Sequence, residues 1–155
     1  SCVVGDLNND GVPEFAISTR IPEQLHWFGR TGSGDWERTH DLLLADINGD
    51  GRPEIAVCEV GPDIGQLYGR LALFRPGANP EDLWQAQVLH DRLADAHSLQ
   101  VADFDGGGRP DIHVGEMGLT DWPHAQQRIF QAAGTGGEHI IDAGVGPHEA
   151  QVIEL

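Results

Sequence analysis

The chain reads as an all-β protein, a segment of a β-propeller, on three observations. A nine-residue acidic loop occurs three times. Each copy follows an apolar run and leads into a run rich in strand formers. Twenty-one glycines and nine prolines punctuate the 155 residues, and no long helical pattern interrupts them. Short strand-forming runs separated by turn residues make sheets. Four-stranded sheets repeated around an axis make a propeller. The length suits one domain, and a hydrophobic content of 39% can supply its core.

The elements follow in order. The loops begin at Asp6, Asp46 and Asp103, spacings of 40 and 57. The closing string Gln151-Val-Ile-Glu154-Leu155 matches Gln100-Val-Ala-Asp103-Phe104 at a spacing of 51. Periods of this size mark propeller blades or solenoid units. They divide the chain into blades at about 1–40, 41–92 and 93–144, with 145–155 opening the first strand of a fourth. Apolar lead-in runs, Leu42-Leu-Leu-Ala45 and Leu99-Gln-Val-Ala102, predict each first strand. The runs after the loops, Glu54-Ile-Ala-Val-Cys58 and Asp111-Ile-His-Val-Gly115, predict each second strand. Third and fourth strands are expected at Leu25–Phe28 and Trp36–Thr39, then Arg70–Phe74 and Trp84–Leu89, then Gln127–Phe130 and Glu138–Ile141.

The loops read Asp6-Leu-Asn8-Asn-Asp10-Gly11-Val-Pro-Glu14, Asp46-Ile-Asn48-Gly-Asp50-Gly51-Arg-Pro-Glu54 and Asp103-Phe-Asp105-Gly-Gly107-Gly108-Arg-Pro-Asp111. Oxygen-bearing side chains fall at positions one, three, five and nine, save for Gly107 at position five of the third loop, and glycine falls at position six. The position-seven residues Val12, Arg52 and Arg109 join the set, at the place where a calcium loop offers a backbone carbonyl. Hard cations such as Ca2+ gather six to eight oxygens, and a glycine lets the backbone turn sharply around them. Two to three Ca2+ are therefore expected. An EF-hand would place its acid at position twelve between helices, whereas here it stands at position nine between strands. Any one loop of this composition could be only a turn; three in matched settings favour metal. Crowded carboxylates repel without a cation, so the ion's expected part is to lock the turn.

A loop of the form D-x-[ND]-x-D-G-x-P-[DE] between the first two strands of such a repeat resembles the FG-GAP/VCBS family. Its blades also build the head of integrin α chains. The resemblance covers nearly the whole chain. The first two loops match fully, and the third departs at Gly107, where an aspartate is expected. It implies a calcium-binding propeller whose first strands line a central channel. Three blades cannot close a ring, so the chain is expected to belong to a larger propeller or to complete the ring by self-association.

A second register accompanies the loops. His40, His97 and His148 each stand six residues before the loop's first acid or its Glu154 equivalent. At about 3.3 Å per residue they lie about 20 Å from the cation, too far to be its ligands. Glu59 and Glu116 recur 13 residues after the loop start, where the first blade has Thr19. These five residues form a candidate polar rim. Imidazole with carboxylate suits a second divalent metal or acid–base chemistry near neutral pH. The plainer alternative is repeated structural hydrogen bonding.

Other classes are excluded or left plain. A net charge of −16 disfavours nucleic acid, whose phosphates need a basic surface. Nine of the 25 acids lie in the three loops, so metal ligation accounts for much of the acidity. No apolar run is long enough for a membrane span. Cys2 and Cys58 lie in apolar stretches and are expected to be buried thiols. Trp36 and Trp84 are expected between blades, and Trp122 is the candidate for stacking on a sugar. The expected role is an extracellular, secreted or periplasmic binding module for carbohydrate or protein. The alternative is a propeller domain of a carbohydrate lyase or dehydratase that uses the rim.

Overall fold

The sequence folds into three antiparallel four-stranded sheets because its strand runs are short and each is followed by a turn or loop that reverses the chain. A computed structural model describes residues 2–7, 11, 13–20, 23–28, 33–35, 39–59, 68–79, 84–118, 125–131, 137–144, 146 and 150–153. Within these, residues 15, 17–20, 23–28, 33–35 and 39–41 are described by their backbone alone. The first sheet holds β1 (Cys2–Gly5), β2 (Glu14–Arg20), β3 (Glu23–Phe28) and β4 (Ser33–Asp35). The second holds β5 (Thr39–Ala45), β6 (Glu54–Glu59), β7 (Gly69–Arg75) and β8 (Gln85–Leu93). The third holds β9 (Ala96–Ala102), β10 (Asp111–Glu116), β11 (Gln126–Phe130) and β12 (Glu138–Ala143). Strand order follows chain order in every sheet.

The sheets are arranged as blades. β5 packs against both β1 and β9, so the first strands of successive sheets adjoin around one side of the molecule. β6 shows how one strand serves two interfaces. Its side chains alternate across the pleat. Ile55 and Val57 enter a core with Leu7, Ala16, Leu42 and Phe74, between the first and second sheets. Ala56 and Cys58 enter a core with Leu93, Leu99, Ile112 and Val114, between the second and third. This double burial explains why β6 reads as a continuous apolar run rather than an alternating one. Trp84 packs at the edge of the first of these cores, as expected of an inter-blade residue.

Two expectations need correcting. Cys2 is exposed, because the outer face of β1 has no sheet against it among the described residues, while Cys58 is buried. Residues 150–153 carry no strand, so the first strand expected within 145–155 is not formed over them. The fourth strand expected at Trp36–Thr39 falls mostly outside the described residues, and β4 precedes it. Among the described residues no helix is long and apolar enough to cross a membrane.

Candidate functional site

Each first strand ends in an acidic loop, and two hydrogen bonds recur in all three. The position-one acid reaches forward. Asp6, Asp46 and Asp103 accept the N–H groups of Gly11, Gly51 and Gly108 at 2.8, 2.9 and 2.8 Å. Those glycines have φ of 86°, 85° and 79°, a left-handed conformation that explains glycine at position six. The position-nine acid reaches back. Glu14, Glu54 and Asp111 accept the N–H groups of Leu7, Ile47 and Phe104 at 2.9, 2.8 and 3.1 Å. All three of these acids are buried, where a carboxylate needs donors. Sequence reading assigned them to a cation and did not foresee this backbone role.

The second and third loops differ in detail. In the second, Asp46 also accepts from Gly49 and Asp50, and Asn48 Oδ1 accepts the Asp50 N–H. Asn48 Nδ2 donates to Glu54 Oε1, and Arg75 Nε lies 3.8 Å from that same oxygen. Burial raises Glu54 above its ordinary value, opposed by the Ile47 and Asn48 N–H groups and by Arg75. Arg52 turns away, its guanidinium donating to the Gly77 carbonyl at 2.7 Å. In the third loop, Asp105 accepts from Gly107 at 2.7 Å and from the Gln131 amide at 3.0 Å.

The third loop departs from the pattern at Gly107, but its carboxylate count does not. Aspartate at position three stands where the others have asparagine, so each loop keeps three acids. The exchange is coupled: a Cβ on Gly107 would lie 2.7 Å from Asp105 Oδ1. Oxygens held by one Ca2+ lie no more than about 5 Å apart. The ligand atoms of Asp103, Asp105 and Asp111 all lie within 4.8 Å of one another, so the set fits a single cation. Among the described residues it is the one group of three or more His, Cys, Asp or Glu side chains to converge in this way. Asn8, Asp10 and Val12 of the first loop lie outside the described residues.

At the other end of the first strands stands the histidine register. Thr39 pairs with Glu59 and Asp41 with Cys58, leaving His40 as an extra residue. Ala96 pairs with Glu116 and Ser98 with Gly115, leaving His97 in the same situation. Both histidines therefore occupy β-bulges, which bend a strand and re-aim a side chain. The bulges lie at matched positions on the adjoining strands β5 and β9. His97 is buried; the side chain of His40 and the whole of His148 lie outside what is described.

The two rim glutamates face arginines that sequence reading passed over. Arg70 on β7 donates to both oxygens of Glu59, at 2.6 and 3.1 Å. Arg128 on β11 donates to Glu116 Oε1, while Oε2 accepts from the Gln126 N–H at 3.2 Å. Burial pushes Glu116 above its ordinary value, opposed by Arg128 and by the Ala94 and Gln126 N–H groups. Arg128 also pairs with Glu138, and Glu138 lies 3.8 Å from His90, tying the third sheet to β8. The two arginines stand at different places on their third strands, Arg70 four residues before Phe74 and Arg128 two before Phe130, so no repeat in the sequence marks them.

Two further histidines are set by packing. His113 shares a 3.0 Å hydrogen bond with Gln127, and burial lowers it below its ordinary value against that bond. His90 stands edge-on to Phe130 and is lowered by burial as well. Trp122 lies outside the described residues.

No curated protein matches the chain. A family model described as an FG-GAP-like repeat matches residues 46–114, from the first acid of the second loop into β10. That stretch holds both fully described loops, the last three strands of the second blade (β6–β8), and β9 with most of β10 from the third. Over residues 46–114 the chain therefore matches the FG-GAP-like repeat family, in line with the resemblance carried by its loops.

Proposed function

We propose that the chain is a calcium-stabilised propeller segment that acts outside the cytosol as a binding or adhesion module for carbohydrate or protein. The observation that carries this reading is the recurrence of one loop, closed by the same two hydrogen bonds, at the end of every first strand. Asp46, Asn48, Asp50, the Arg52 carbonyl and Glu54 would hold one cation. Asp103, Asp105, the Arg109 carbonyl and Asp111 would hold another, and Asp6, Asn8, Asp10, the Val12 carbonyl and Glu14 a third. The ion supplies charge neutralisation and a fixed turn; the loops and blade edges around it supply the binding surface. Secretion or a periplasmic location follows from moderate calcium affinity, which a calcium-rich exterior satisfies. Elemental analysis of the desalted protein tests the reading. Two to three calcium per chain support it, and none after incubation with calcium overturns it.

The paired bulges favour a second reading, in which His40, His97 and His148 with Glu59 and Glu116 form a working rim of a carbohydrate lyase or dehydratase. Near-stoichiometric zinc, manganese or iron in the same analysis would support it. His97→Ala should then abolish metal uptake at the rim while leaving calcium-dependent stability intact. Loss of melting temperature alone would return these residues to a structural role.

A further inference from the structure

We infer that Arg75 holds back cation binding at the second loop, so that the third loop fills at lower calcium concentration. The inference rests on the calcium reading above and adds an order to it. Arg75 and Gln131 occupy equivalent places in successive blades. Phe74 lies opposite Ile55 and Phe130 opposite Ile112, and each of those isoleucines directly follows a position-nine acid. One residue further on, the second blade presents a guanidinium and the third a neutral amide.

The two side chains meet their loops differently. Arg75 Nε is buried, has no hydrogen-bond partner and lies 3.8 Å from Glu54 Oε1. That oxygen also receives the Asn48 amide, so positive and donor groups already occupy a carboxylate the cation would need. A dication at Glu54 would face the fixed guanidinium at short range and displace the Asn48 contact, and both effects weaken binding. Gln131 contributes no charge; its amide donates to Asp105 at 3.0 Å, and its carbonyl accepts the Gly137 N–H at 3.2 Å. The third loop's ligand oxygens already lie within 4.8 Å of one another, whereas Asp46, Asp50 and Glu54 do not converge in this way. Less rearrangement and less repulsion both favour the third loop, although the second carries the fuller motif.

Calorimetric titration of the metal-free whole chain with Ca2+ tests the order. Asp46→Asn and Asp103→Asn assign constants to the second and third loops. The expected result is a tighter constant lost in D103N and a weaker one lost in D46N. Arg75→Gln should tighten the second loop about tenfold, the scale of one partly screened charge near a dication. Arg75→Lys keeps the charge and should leave the constant near that of the unaltered protein. Gln131→Arg should weaken the third loop by a similar factor. Equal constants in the unaltered protein, or an R75Q constant equal to it, overturn this inference and leave calcium binding standing. Absence of calcium heat at any loop would overturn both readings together.

Discussion

The two ends of the first strands are built on different principles. At the loop end, the bonds that recur are local: position one to position six, and position nine to position two, in every blade. At the histidine end they are long-range. A bulge sets each histidine, and a glutamate on the second strand pairs with an arginine on the third, in the second and third blades. The loop end can be closed by its own nine residues once their charge is neutralised. The histidine end depends on three strands being in register. The difference teaches that a cation should govern the first end, while packing should govern the second.

Substitutions can break or sharpen that contrast. The largest effect is expected at Arg128, which bridges the buried Glu116 and the exposed Glu138. Arg128→Met strands a buried carboxylate and should cost about 3–5 kcal/mol in chemical denaturation, with or without calcium. Arg70→Met should cost clearly less, since Arg70 is 39% exposed against 12% for Arg128. Equal costs would mean that burial does not separate the two pairs.

Next comes the residue at loop position two. Ile47 is 1% exposed and packs between the second and third sheets, whereas its counterpart Phe104 is 38% exposed. Ile47→Ala should lower stability by about 2–4 kcal/mol, and Phe104→Ala by about 1 kcal/mol or less. A large loss at Phe104 would show that something covers it in solution. A smaller effect, about 1–2 kcal/mol, is expected for Gly51→Ala, because alanine is strained at a φ of 85°.

The smallest effect is a pH slope. His113 is held below its ordinary value of 6.5 by burial, so the unfolded chain takes up its proton first on acidification. Its contribution to stability is full above about pH 6.5 and is lost as pH falls through the lowered folded value. His113→Gln should flatten that part of the stability profile, measured by denaturation at a series of pH values. An unchanged slope would assign the effect elsewhere, with His90 the next group to alter.

How much of this was legible follows from the same contrast. The loops could be read because glycine at position six and acids at one and nine are demanded by bonds within nine residues. The strands could be read because apolar runs and turns are local too, and β6 and β10 stand where their sequences placed them. The arginine partners could not be read, since Arg70 and Arg128 meet their glutamates only through cross-strand register. Nor could the bulges, which shift that register without any mark at His40 or His97. The convergence of Asp103, Asp105 and Asp111 was hidden by a missing acid at Gly107 that position three replaces. Cys2 looked buried because its neighbours are apolar, and burial depends on what lies across the sheet face.

The central claim is that calcium closes the loop end, and scanning calorimetry of the chain in calcium and in excess chelator tests it most directly. A site filled at one hundred times its Kd adds about 2.7 kcal/mol, and a domain of this size gains about 2–4 °C in Tm per kcal/mol. With two or more loops filled, the account predicts that chelator lowers Tm by about 10 °C or more and that calcium restores it. An unchanged Tm, in a protein shown to be folded in both conditions, would contradict it.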